Sequence, residues 1–296
     1  MEGLAAIRVA RRRFDALHDE TWRLYVDRDH QHHGPRVYDL GLHGRDAEPG
    51  FMQSMAHAHA LASRELGSPL DRALLQRLHE AVLAHGAPKL AYRDHAFHVT
   101  VAPRRLQRGS LPWLTRSGAQ LEEVEEDGVP RLRVLFVELE GGEEAIVRRL
   151  ERVLSAGRRA IARAKDADTR LLAIARLHAR LELLHPTEDG NTRRNLVLLD
   201  KLLVEHGFWP VILDEPNDVV VMDARRWAAA LRRGMARFQV AARAVAYGDD
   251  VGERLRAHDR ARERRGDAPD PAMEPDQPFH ARGFRRVTFV APRRSA

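Results

Sequence analysis

The sequence predicts a mainly α-helical bundle with a small β-hairpin. Three observations point there. Aromatic residues make up only 6% of the 296 residues while Ala, Leu and Arg abound, a balance that favours helix over sheet. Apolar residues recur at spacings of three and four over most of the chain. Period-two alternation and hairpin signals are confined to residues 97–134 and to a short piece near the C-terminus.

Taken in order, Leu4, Ile7, Ala10, Phe14 and Leu17 form one helical stripe. A short helical piece follows at residues 21–25. The Asp- and His-rich stretch 27–34 reads as a solvated loop, since no paired ligand spacing on a regular element supports a metal. Residues 46–50 (DAEPG) are turn-rich. A helix is expected from Phe51 to about Glu65. Another follows, with Ser68 as its cap, Pro69 in its first position and Leu70, Leu74, Leu78, Val82 and Leu83 as its stripe. His79, Glu80 and His85 do not form a zinc-protease helix, because the two imidazoles are six residues apart and do not share a face.

Residues 89–103 become extended toward their end. Residues 121–134 read as a hairpin turned at Asp127-Gly128, with one strand acidic and the other basic. From Gly141 a strong helix carries Ile146, Leu150, Val153, Gly157 and Ile161. Asp166 to Thr169 breaks and caps. The next helix sets Leu171, Ile174, His178, Leu181 and His185 on one face, so His185 is expected to point inward. Leu196, Leu199 and Leu203 line a further helix ending at Gly207. An apolar connector (208–213), a turn and a helix over about 223–247 come next. Residues 248–276 look like a helix fading into a linker, and 279–292 could form one strand.

Composition excludes some chemistries. With no Cys, thiol nucleophiles, disulfides and Cys-zinc sites are ruled out. No run approaches the roughly 18–20 apolar residues of a membrane span, and the first residues do not resemble a signal peptide. A cytoplasmic protein, or one delivered into another cell as an effector, is therefore expected. The net charge is +6, and five Arg with no acid fall within residues 279–296. Such a tail is expected to be solvated, with at most weak nucleic-acid contact.

The densest chemistry lies in the stretch His185-Pro186-Thr187-Glu188-Asp189-Gly190-Asn191-Thr192-Arg193-Arg194-Asn195. A Gly-Asn turn allows positive φ, so consecutive amides can converge on an anion. The following helix offers its N-terminal amides and positive dipole end to the same point. His185 suits a general base and Asp189 a hard oxygen ligand for Mg²⁺. The amides of Gly190, Asn191 and Thr192 would bind phosphate, with the Asn191 side chain as a further donor. Arg193 would neutralise phosphate charge, and Arg194 could partly assist although it points about 100° away. With no other nucleotide-binding glycine motif present, a nucleoside triphosphate would rest mainly on this loop.

This stretch resembles the signature loop of the Fic/Doc (Fido) family, His-Pro-Phe-x-Asp/Glu-Gly-Asn-Gly/Lys-Arg-x-x-Arg. His185, Pro186, Asp189, Gly190, Asn191 and Arg193 match in register. The resemblance spans about residues 51–247, leaving 1–50 as an N-terminal helical extension and 248–296 as a charged linker and basic tail. It implies a helical Fic-like core with a hairpin flap near the active loop. It also implies Mg²⁺-dependent transfer of a nucleoside monophosphate, AMP first and UMP second, from ATP or UTP to a Ser, Thr or Tyr hydroxyl of a target protein. The flap would be either the 121–134 hairpin or the strand at 97–103.

Three positions depart from the family pattern. Thr187 replaces the Phe that packs under the loop and is expected to loosen the anchoring of His185. Thr192 replaces Gly or Lys. Leu196 replaces the final Arg, which in relatives holds the triphosphate. No inhibitory Ser/Thr-x-x-x-Glu-Gly/Asn signature is present, so any brake would be a separate inhibitor protein. Alternatives are a Fic/Doc-like transferase of another phosphate-containing group, including a kinase-like one, and a non-catalytic binding module.

Overall fold

Apolar stripes become buried helix faces wherever the chain can bring two of them together, and here they meet in one continuous core. The computed structural model describes residues 2–41, 47–86, 91–92, 97–101, 119–126, 129–136 and 142–265. Helix α1 (Glu2–Phe14) buries Ala10 and Phe14, with Leu17 just beyond, while Leu4 stays exposed. Two 3-10 helices follow, His18–Leu24 and Arg28–His33. The second replaces the solvated loop expected from its composition. Gln31 is buried there, donating to the Val26 carbonyl at 2.9 Å and accepting from Arg237 at 3.2 Å.

Helix α2 spans Phe51–Arg64 and α3 spans Arg72–Leu83. The expected Ser68 cap is corrected: Asp71 caps α3, its carboxylate accepting from the Leu74 amide at 2.8 Å. A carboxylate at this position satisfies an orphan amide and faces the positive dipole end. The expected stripe is buried, from Leu70 and Leu74 to Val82 and Leu83.

Strands β1 (Phe97–Val101), β2 (Ala119–Glu126) and β3 (Val129–Phe136) form one antiparallel sheet in the order β1-β3-β2. Both flap candidates therefore belong to one unit. Glu126 pairs with Val129 around the expected two-residue turn, which itself lies outside the described residues. Glu122 stands opposite Arg133 and they form an ion pair at 3.5 Å, as the acidic and basic strands suggest. Val134 is fully buried and joins this sheet to the helical core.

Helices α4 (Gly142–Arg163) and α5 (Ala167–Leu184) lie side by side. On α4 it is Leu154, rather than Val153, that completes the buried stripe. Gly157 allows close approach, since a methyl group there would sit 2.7 Å from a Leu177 methyl. Asp166 and Thr169 form a reciprocal capping box at the start of α5.

Helix α6 (Asn191–Glu205) is the centre of the molecule, packing against α1, α2, α3 and α5. Leu196, Val197, Leu198, Leu199, Leu202, Leu203 and Val204 are all buried, so α6 is apolar nearly all round rather than on one stripe. Helices α7 (Ala224–Tyr247) and α8 (Val251–Arg264) close the fold. Helix α8 packs its Val251 and Leu255 into the same core as Ala10, and the linker expected after it lies outside the described residues. The strand expected at 279–292 and the basic tail lie outside the described residues. Among the described residues no helix is long and apolar enough to cross a membrane.

Candidate functional site

The six residues from His185 to Gly190 connect the end of α5 to the start of α6, and both ends of this connection adopt left-handed backbone. His185 is the C-cap of α5 at φ +42° and ψ +62°, its amide donating to the Leu181 carbonyl. It is one of two described non-glycine residues with positive φ. Such a conformation costs of order 1–3 kcal/mol and persists only where the surroundings impose it. His185 therefore leaves the helical register instead of continuing it. The expectation that it points with the buried leucines is corrected, and the residue is only partly buried.

Gly190 is the N-cap of α6 at φ +71°. A methyl group here would lie 3.1 Å from Leu83 and 3.2 Å from His79, so both backbone and space call for glycine. No side chain caps the first turn of α6. Its amides and the positive helix end thus remain directed at whatever lies before them.

Asn191 and Thr187 close the loop on itself. The Asn191 amide donates to the Thr187 carbonyl at 2.6 Å, and its oxygen accepts from the Thr187 amide at 3.2 Å. The Thr187 hydroxyl lies 2.6 Å from the same oxygen. Asn191 is 1% exposed. Two expectations change accordingly. The Asn191 side chain is a loop clasp, not a phosphate donor. Thr187, which the sequence suggested would loosen the loop, instead anchors it through hydrogen bonds. On the outer side, the Glu188 amide donates to the Ala91 carbonyl at 3.1 Å and Tyr92 forms a β-bridge with Thr187. The segment leading to the sheet is thereby fastened to the loop.

Asp189 and Arg193 meet one helical turn apart. Arg193 donates to Asp189 at 2.6 Å and, through its other nitrogen, to Glu48 at 3.0 Å, and it lies over the Phe51 ring. Partial burial alone would raise the Asp189 carboxyl. The Arg193 charge and hydrogen bond, the Gly190 amide and the His79 imidazole together hold it below the usual range. Asp189 is therefore ionised, as a Mg²⁺ ligand must be. A single half-exposed carboxylate beside an anion-seeking helix end fits Mg²⁺, which usually takes one or two carboxylates plus phosphate oxygens and waters.

The other expected residues turn inward. Arg194 is 2% exposed, donates to Asn195 at 2.9 Å, and burial pushes its guanidinium down to about 10. It braces the loop from beneath and lines a cavity of about 140 Å³ with His79, Tyr92 and Thr187. The Thr192 hydroxyl donates to Glu182 at 3.1 Å. Leu196, where the family pattern has its last Arg, is buried in the core.

Glu182 was not singled out by the sequence reading. Buried on α5, it accepts from Thr192 and, at 3.0 Å, from Asn195, so it ties the first turns of α6 to the helix that ends in His185. Burial raises its carboxyl. Its neighbour His178, 3.7 Å away, is pushed down to about 3 by burial and accepts from Trp227. His178 is therefore uncharged and the contact is not an ion pair. The available signal was a lone acid within Leu181-Glu182-Leu183-Leu184.

No family model and no curated protein matches the chain. Among solved structures it is similar to a Fic domain containing signaling protein from Bacteroides thetaiotaomicron VPI-5482, at 13% identity and a TM-score of 0.47, over 83% of this chain and 98% of that one.

Proposed function

We propose that the chain is a Fic-type protein nucleotidyltransferase that moves a nucleoside monophosphate from ATP or UTP to a hydroxyl of a target protein. The observation that carries this reading is the loop itself. A histidine at a helix C-cap, an ionised carboxylate, a left-handed glycine opening an uncapped helix and a first-turn arginine are held in nine consecutive positions.

In this reading His185 takes the proton of the target hydroxyl as its oxygen attacks the α-phosphate. The first-turn amides of α6 hold the phosphate oxygens, and Arg193 offsets the charge that develops on the leaving pyrophosphate. Asp189 would hold the Mg²⁺, which supplies charge neutralisation when bound. Arg193 must release Glu48 to serve in this way. The sheet beside the loop would present an edge to the target segment.

One observation favours a second reading, a kinase-like transfer. Neither buried Arg194 nor buried Leu196 supplies the second cation that relatives use to hold the triphosphate. Incubation with target-rich lysate and either α- or γ-labelled ATP and UTP separates the two. Label from the α-position in protein, lost in His185→Ala, supports nucleotidyl transfer. Label from the γ-position alone moves the assignment to phosphoryl transfer, and no transfer of either leaves a binding module.

A further inference from the structure

Away from the loop, a second polar cavity of about 240 Å³ lies between the two 3-10 helices, α7 and α8. Arg23, Arg28, Arg237, Arg256 and Arg260 line it, against only Asp259 and Glu263. The acids are already engaged. Asp259 lies 3.3 Å from both Arg28 and Arg237, and Glu263 lies 2.8 Å from Arg28. Arg23 is paired with Glu20 and stacked on the Trp22 ring at 4.3 Å. Arg256 and Arg260 have no ion pair among the described residues and are exposed at the rim.

The floor is built for close approach of cations. A methyl group on Gly252, in the first turn of α8, would sit 3.2 Å from an Arg256 nitrogen and 3.5 Å from an Arg23 nitrogen. Two guanidiniums thus converge over bare backbone at the positive end of a 14-residue helix. Asp250, the N-cap of α8, also reaches this point and its carboxylate accepts from the Glu253 amide at 2.7 Å, so the helix end is already capped and the guanidiniums are what an anion would meet. Behind them Arg237 is almost fully buried and shares Asp214 and Asp259 with Arg28 and Arg262.

We propose that this cavity is a binding site for a small phosphate-bearing anion, held by Arg23, Arg256 and Arg260 against the Gly252 backbone. The forked guanidinium donors match a tetrahedral dianion. The volume admits free phosphate or the phosphate of a small ester. The anion would join the N-terminal 3-10 helices to α8, remote in sequence from the His185 loop.

The test is a titration of the full chain at constant ionic strength with inorganic phosphate, and separately with glycerol 3-phosphate. Calorimetry and tryptophan fluorescence, with Trp22 as the local reporter, are the readouts. Arg193→Ala should keep the saturable Trp22 response of wild type, whatever it loses at the loop. Arg256→Ala/Arg260→Ala, altered only at exposed positions, should melt like wild type and bind about tenfold more weakly or less. Tighter binding of the ester assigns the cavity to a small organic phosphate, and equal or weaker binding assigns it to the free anion. If the double variant titrates like wild type, or wild type shows no saturable response beyond that to chloride, the site does not exist.

Discussion

At the scale of single residues, the loop depends on groups that are spent on one another and on groups left for chemistry. Asn191 belongs to the first kind. Asn191→Ala would leave the buried amide and carbonyl of Thr187 without partners, which costs about 1–3 kcal/mol. Thermal melts should show that loss, and transfer activity should fall with it. His185 belongs to the second kind. His185→Ala should lower transfer by about 10²–10⁴-fold with little change in melting temperature. Arg193 stands between the two, because Glu48 and Asp189 both hold it. A partly exposed pair is worth up to about 1 kcal/mol, so Glu48→Ala should lower the KM for nucleotide by up to about fivefold. A rise in KM would show that Glu48 orients Arg193 instead of competing for it.

At the scale of elements, the site is made by the junction of α5 and α6 and by what fixes each helix. Helix α5 packs closely on α4 at Gly157, where an added methyl group would meet the Leu177 side chain. Gly157→Ala would push a methyl group into Leu177, forcing a shift that costs about 1–3 kcal/mol. Chemical denaturation should register the loss, and His185, at the far end of α5, should keep its function once the protein is folded. Helix α6 is held by Glu182 across Thr192 and Asn195. Thr192 is tied to Glu182, Asn191 to Thr187 and Arg194 to Asn195, and each of these side chains is turned toward the protein. Side chains at Asn191, Thr192 and Arg194 belong to the supporting layer, and only the backbone at the first two faces outward.

At the scale of the whole molecule, buried titratable groups give stability a defined pH profile. Asp200 on α6 is fully buried, and burial raises its carboxyl to about 8 although the Val211 amide donates to it at 2.9 Å. Its folded pKa lies above its unfolded one, so its contribution is fully present below about pH 4 and is lost as pH rises through about 8. His178 works on the acid side. Its folded pKa of about 3 lies below the usual histidine value. Its contribution is present above about pH 6.5 and is lost as pH falls from there toward 3. Melting temperatures of wild type and Asp200→Asn from pH 4 to pH 9 should therefore diverge. The variant should gain relative to wild type as pH rises, on the order of a few kcal/mol across the window. Parallel curves would mean that Asp200 is ionised in the folded protein.

The sequence by itself determined the helical class, the hairpin with its acidic and basic strands, and the position of the candidate site. These follow from local chemistry: periodic apolar residues, a two-residue Asp-Gly turn, and a run of His, Asp, Gly and Arg at fixed spacing. Tertiary structure decided what each side chain of that run is for. Periodicity placed His185 on a buried face, but the chain leaves helical register at the residue itself, and no repeat can report a left-handed cap. Asn191, Arg194 and Glu182 became scaffold because α6 is enclosed by four other helices, a consequence of long-range packing. The engagement of Arg193 by Glu48 joins residues 145 positions apart. The arginine-lined cavity likewise gathers residues from both ends of the chain, and spacing in sequence carries no trace of such encounters.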